Sequence, residues 1–402
     1  MVGLRPTAPD PAPPTPPPDG SPSTAETRCP WRWQPETALR VEAAGPVSDL
    51  VATCAGGSLA AAWREGATVR AVTRALRPEA PWGDPVTVGD DATRLGEPTA
   101  VGGDLWLAWE TAGLASMSGV RVAVVRNGVV VRSGPTMLGR GRVSHLHALH
   151  GTDDLALVAA THQSREGPTT LLLRISARGT LPTAGARLSS GMAVASAPGG
   201  TAFVAVQRRA GPVEGGPWVL EGWSLDTRLA AAFGQSIRPG VWGALPEGAA
   251  RPLGTLGLGP GSFAWSPGAT DDGAVLVQTV IGAERGMARV AWFAGADGRE
   301  ARMVALRVAP SALAAITRDV SGEVRVRYWD EDHTLVERRV GPEGMDDPRP
   351  LSSPLPSAPA VLAVSHGTRT VRCDGVSWRL ALVTAAEGES PVLTADRDDC
   401  DP

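Results

Sequence analysis

His145, His147 and His150 form the pattern His-x-His-x-x-His, and His162 closes the next apolar run. On a strand, alternation puts His145 and His147 on one face, and two imidazoles in that arrangement can serve as metal ligands. They are the weak metal candidates of this chain, with the metal itself unknown. No carboxylate stands at a register that would complete the set, and a histidine held only by hydrogen bonds competes with the metal reading. The acidic turn Trp329-Asp330-Glu331-Asp332-His333 lacks the alternating oxygens and the glycine of a Ca²⁺ loop, and is expected at a solvated hairpin tip. Asp396 to Asp401 is read as an exposed acidic tail. No nucleophile elbow, phosphate loop or dinucleotide fingerprint precedes a helix, so no catalytic residue and no cofactor is expected.

Four cysteines, Cys29, Cys54, Cys373 and Cys400, lie towards the two ends of the chain, without metal-ligand spacing. The preferred pairing is Cys29–Cys54 with Cys373–Cys400, which would pin each end segment to its nearest repeat. The rival, Cys29–Cys400 with Cys54–Cys373, would tie the two ends together. Either implies an oxidising compartment, extracytoplasmic in a bacterium. Four unpaired buried thiols in a cytoplasmic protein are the third reading.

These residues must be held by strands. The 402 residues include 48 Gly and 36 Pro spread along the chain, too many breakers for long helices. Hydrophobic residues make up 43%, enough for a sizeable core. A net charge of -4 argues against nucleic acid as a partner. All 38 basic residues are arginine, and Asn127 is the sole asparagine, a bias of GC-rich bacterial codon use that strips arginine enrichment of functional meaning. Residues 1–28 hold nine prolines and no apolar periodicity, which predicts a disordered tail. No apolar run reaches the length of a membrane span. The proline-rich start is similar to the tether of an exported lipoprotein, and a lipid anchor upstream is one expectation.

The remainder, 29–402, repeats. Val47-Ser48-Asp49-Leu50-Val51-Ala52 recurs as Val143-Ser144-His145-Leu146-His147-Ala148, and each leads through a turn into a second apolar run. Leu59, Leu105, Leu155 and Ala202 occupy equivalent places at steps of 46, 50 and 47 residues. Later pairs are 272–277 with 288–293, 312–317 with 324–329, and 360–364 with 378–383. A period near 48 matches a four-stranded propeller blade. The expectation is an all-β fold, a single β-propeller of about seven blades, with six or eight as alternatives. Its N-terminal strand, 37–43, would complete the last blade. The segments 208–217 and 238–261 are read as insertions and candidate specificity loops.

On this period and strand order the chain resembles the β-propeller class, loosely the sialidase-type and other exported bacterial propellers. Ala269-Thr270-Asp271-Asp272-Gly273 is a partial echo of the sialidase Asp-box. The sialidase mechanism needs a Tyr nucleophile with a Glu partner, and Tyr328, the one tyrosine, sits in a strand where packing explains it. Trp63, Trp109, Trp292 and Trp329 are expected between blades. The resemblance implies a non-enzymatic exported propeller that binds a protein or glycan. A glycan-active hydrolase and a structural subunit of an envelope assembly are the alternatives.

Overall fold

The computed structural model describes residues 33–398 except for interspersed segments, the longest being 177–183, 233–241, 295–301, 308–314 and 351–363. The tail 1–28, Cys29 and Cys400 lie outside the described residues, as do Asp271, Asp272 and 331–334. Among the described residues the chain is almost all β. Its one helix is Thr227–Ala232, whose start is capped by Asp226 Oδ1 accepting from Leu229 N at 3.0 Å. No described helix is long and apolar enough to cross a membrane.

The strands group into seven sheets in chain order, antiparallel but for one short parallel pairing. The first is built from Val47–Ala55, Ser58–Glu65, Thr68–Ala75 and Val86–Gly89. In the second, the first strand is broken into Ala92–Leu95 and Thr99–Val101, followed by Asp104–Ala112 and Met117–Arg126 and then by Val129–Arg132 and Thr136–Arg140, which share one edge. The third contains Arg142–Thr152, Leu155–Ser164, Gly167–Ser176 and Ala184–Ser189. The fourth contains Met192–Ser196, Thr201–Arg209, Trp218–Asp226 and Ala250–Leu258. The fifth begins at Ser262–Thr270, the sixth at Ala315–Arg318 and the seventh at Val364–Cys373.

Leu59, Leu105, Leu155 and Ala202 all fall on second strands, so the early repeats are in register. The later match is out of step: 273–281 and 287–294 are second and third strands, whereas 315–318 and 324–329 are first and second. Weak sequence similarity cannot distinguish two neighbouring strands that share the same alternation. The segment 238–261 is not wholly an insertion either. Ala250–Leu258 is the fourth strand of the fourth sheet, and Trp242–Gly243 adds a parallel fifth strand to the third. Likewise Asp396–Asp398 is no loose tail, because it lies in the strand Val392–Asp398, where Asp396 pairs with Arg379.

The continuous apolar runs of the second strands are explained by burial on both faces. Leu59, Ala61 and Trp63 pack with Trp378, Leu380 and Leu382 of the seventh sheet. Ala60 and Ala62 between them pack with Leu105, Leu107 and Trp109 of the second. Trp106 and Ala108 then meet Ala156, Val158 and Ala160 of the third, whose Leu157 and Ala159 meet Val204 and Val206 of the fourth. Trp63 and Trp109 are fully buried in these layers, as expected for tryptophans between sheets. Each core is thus shared by consecutive sheets. The first strands lie against one another in chain order, and the first strand of the seventh sheet lies against that of the first.

The two ends of the chain meet at this last contact. Trp33–Pro35 and Leu39–Arg40 pair antiparallel with Val392–Asp398. Between them Glu36 is buried against two cations, Arg74 of the first sheet (2.6 Å) and Arg397 of the seventh (3.4 Å), and also accepts from Glu79 N at 2.7 Å. Arg74 stacks over Trp378, 4.9 Å from its ring centre. Cys54 and Cys373 form a disulfide across 319 residues of sequence. This corrects the preferred pairing: each of these cysteines lies on the first strand of its own sheet, and those two strands are neighbours.

Candidate functional site

One irregularity recurs where the first strands begin. In the first sheet Ser48 pairs with Arg64 and Val51 with Ala62, so Asp49 and Leu50 stand opposite Trp63 alone. The second sheet skips Thr93 between Ala92 and Arg94, the third skips Ser144 between Val143 and His145, and the seventh skips His366 between Ser365 and Gly367. Each is a β-bulge, which turns the local backbone and re-aims side chains. The sequence beneath them is one pattern: Val47-Ser48-Asp49, Ala92-Thr93-Arg94, Val143-Ser144-His145 and Val364-Ser365-His366. The seventh, first, second and third sheets are consecutive in contact, so the bulges form one arc. Among the described residues, no such shift occurs between first and second strands of the fourth, fifth and sixth sheets.

The polar groups of the arc touch across sheets. Asp49 adopts φ 56°, a left-handed conformation that aspartate tolerates better than most residues. Its Oδ2 accepts from Arg64 Nε at 2.9 Å and from Leu95 N of the second sheet at 3.2 Å. Arg94 Nη1 reaches Val143 O of the third sheet at 3.5 Å. Glu110, buried, accepts from Val143 N at 2.7 Å.

At Gly96 the second sheet's first strand leaves its own ladder. Glu97 instead bridges in parallel to His147, with Glu97 N donating to Leu146 O and Ala148 N donating to Glu97 O, both at 2.9 Å. The approach requires glycine, since a Cβ at Gly96 would stand 2.7 Å from Leu146 O. The side chain of Glu97 is thereby presented to Arg369 of the seventh sheet, whose Nη2 lies 3.1 Å from Oε1. This pair passes the first sheet altogether and joins elements 272 residues apart. Its side chains remain 40% and 38% exposed, so the place where these strands converge is open to solvent.

His145 and His147 take alternate positions on the strand Arg142–Thr152, out of phase with Leu146 and Ala148, which face the core shared with the second sheet. Burial, together with the nearby Arg94 guanidinium, lowers the His145 pKa to about 4, so the ring is neutral at physiological pH. A cation beside a ring does not favour a second cation on it. Among the described residues no three of His, Cys, Asp and Glu come together as a metal-binding group. His162 lies opposite Val143, with its pKa lowered by burial against the opposing pull of Glu110. His150 is in the same strand as His145.

No protein-family model matches this chain, and no characterised protein matches it in sequence. Solved structures do. The polysaccharide lyase Uly1 superposes with a TM-score of 0.54 at 9% identity, covering 92% of this chain and 100% of the lyase. The likeness is one of fold, over essentially the whole of both chains. Two lectins superpose more loosely. SapL1, solved with alpha methyl fucoside, covers 76% of this chain and 96% of its own at 13% identity and a TM-score of 0.42. The six-bladed β-propeller lectin of Aleuria aurantia covers 77% and 97% at 12% identity and a TM-score of 0.40.

Arg94, Glu97 and Arg369 have no place in a histidine-centred reading of the sequence. The signal for Arg94 was present, because Ala92-Thr93-Arg94-Leu95 repeats the Val-Ser-polar-Leu pattern with every residue but the leucine changed. Arg369 and Glu97 carried none, since their partnership exists only once the sheets are arranged.

Proposed function

We infer that the chain is a closed seven-bladed β-propeller, and that it binds a saccharide without catalysis where the bulged first strands begin. The observation carrying this is the arc itself: polar side chains from four consecutive sheets, of which Arg94, Glu97 and Arg369 reach solvent, beside three sheets whose first strands start as Met192-Ala193-Val194, Ser262-Phe263-Ala264 and Ala315-Ile316-Thr317. A few polar groups gathered from neighbouring strands suit the hydroxyl-bearing edge of a sugar ring. Ring closure is supported by the neighbouring first and last sheets, and by the N-terminal strands that complete the seventh. A polysaccharide lyase uses the same fold.

The case against turnover is chemical. A general acid needs a carboxyl in apolar surroundings that hold its proton. The carboxylates here are instead held by cations or amides: Asp49 by Arg64 and Leu95 N, Glu97 by Arg369, and Glu110 by Val143 N. His145, with a pKa of about 4, is a weak base at neutral pH. The Cys54–Cys373 bridge supports residence in an oxidising, extracytoplasmic compartment, and a second bridge between Cys29 and Cys400 is part of the proposal.

A glycan array probed with the purified oxidised chain tests the reading, followed by calorimetry and reducing-end release assays on the hits. Binding without release of new ends is the expected result. No binding to any glycan would overturn the saccharide reading, and progressive release of reducing ends would overturn the non-catalytic one.

A further inference from the structure

We propose that Arg174 and Ser176, in the seam between the third and fourth sheets, hold a small monovalent anion, chloride or a small carboxylate. The site is separate from the bulged arc and does not rest on the saccharide reading.

Both residues belong to the third strand of the third sheet, Gly167–Ser176. That strand runs parallel to the first, so its end stands at the edge of the sheet away from the bulges. Along it Leu171, Leu173 and Ile175 face the core shared with the second sheet, and Leu172 faces the core shared with the fourth. Alternation points Arg174 and Ser176 the same way as Leu172, towards the fourth sheet. Their ladder partners on the second strand are Leu157 and Leu155. An otherwise apolar face thus ends in a guanidinium and a hydroxyl.

Among the described residues two arginines are buried, and they differ in what meets their charge. Arg74 donates to Ala80 O and to Glu36 and stacks on Trp378. Arg174 is 9% exposed, and its Nε is buried with no hydrogen-bond partner among the described residues. Burial alone acts on the Arg174 pKa and lowers it, with no described carboxylate pulling it back up. Two positions on, Ser176 Oγ is also buried and without a described partner. Each orphan costs free energy, and two of them on one face of one strand share a single remedy. An anion between them accepts from both. Reaching to water satisfies the guanidinium tip but leaves Nε and the serine hydroxyl unmet.

Charge selects the ligand. One guanidinium balances one negative charge, so a monovalent anion leaves the seam neutral, whereas a dianion leaves a charge buried. Alternate residues of a strand stand about 7 Å apart, and the long arginine stem can bring its donors to the same small ion as the serine hydroxyl. The occupant is a ligand of the folded state alone, so it stabilises the chain by mass action.

The test is thermal melting of the full oxidised chain in the sodium salts of chloride, formate, sulfate and a bulky monovalent sulfonate, at constant ionic strength. The chloride NMR linewidth reads binding directly. Wild type is expected to melt about 3 °C higher in chloride or formate than in the sulfonate, with a response that saturates. It should also broaden the chloride line, and formate should reverse the broadening. Arg174→Met, whose apolar side chain suits the face, should abolish both responses. Ser176→Ala should raise the half-saturating concentration about tenfold. If Arg174→Met does not fold, an unchanged half-saturation in Ser176→Ala overturns the proposal by itself. A response to only one of chloride and formate identifies the occupant within the class. Wild-type melting that ignores the anion, a response that survives Arg174→Met, or sulfate matching chloride overturns the proposal, and water then fills the seam.

Discussion

Two groups of consecutive sheets differ in how their first strands start. In the seventh, first, second and third sheets a bulge interrupts the ladder within the first residues, passing over His366, Asp49 with Leu50, Thr93 and Ser144 respectively. Among the described residues of the fourth, fifth and sixth sheets, the ladder between first and second strands runs unbroken. Unbroken pairing satisfies the backbone and keeps side chains in strict alternation, which serves packing. A bulge gives up part of that pairing and re-aims a side chain. The bulged group also contains the junction of the chain ends, the disulfide, the buried Glu36 cluster and the Glu97–Arg369 pair. The first-strand bulges thus fall on the same sheets as these ties, the arrangement expected of a site that must hold unusual geometry.

The comparison breaks most sharply at Glu36. Replacing it with alanine leaves Arg74 buried and without its carboxylate, and chemical denaturation should show a loss of about 3–5 kcal/mol. If the loss is below about 1 kcal/mol, the junction is not what holds this group. Next in size is the double substitution Cys54→Ser, Cys373→Ser, expected to lower stability by roughly 2–4 kcal/mol, with reduction of the wild type giving the same shift.

Gly96→Ala sharpens the comparison by attacking a single irregular strand. The added Cβ must displace the Leu146 carbonyl, at a cost of roughly 2 kcal/mol. Amide exchange should show the damage confined to the second and third sheets, and protection unchanged in the fifth and sixth supports the division into two groups. The remaining effect is in pH. The folded pKa of His145, about 4, lies below its unfolded value near 6.5, so the unfolded chain binds the extra proton first. The stability from its neutral form is complete above about pH 6.5 and is lost as pH falls towards 4. His145→Gln should flatten that slope by about 3 kcal/mol across the window. Arg94→Gln should raise the His145 pKa, measured by proton NMR.

How much of this was legible beforehand follows the range of each interaction. The second strands could be aligned from Leu59, Leu105, Leu155 and Ala202 because alternation and two-sided burial are written in consecutive residues. The histidines were visible as a cluster for the same reason, but their setting was not. What surrounds His145 is Arg94, about 50 residues away in sequence and in another sheet. The misread stretch at 250–258 shows the limit in the other direction. Gly254 and Gly257 made a strand look like a loop, and pairing with Trp218–Asp226 overrode that local preference.

By itself, then, the sequence determined the class of structure, the period of its units and the apolar faces of its early strands, all consequences of patterns within a few residues. Tertiary structure alone decided which cysteines meet and which cation faces which carboxylate. Cys54 and Cys373 are 319 residues apart, and Arg369 and Glu97 are 272 apart. Nothing near either partner specifies the other. Their meeting depends on the angle at which every intervening sheet packs on the next, a property summed over the whole chain.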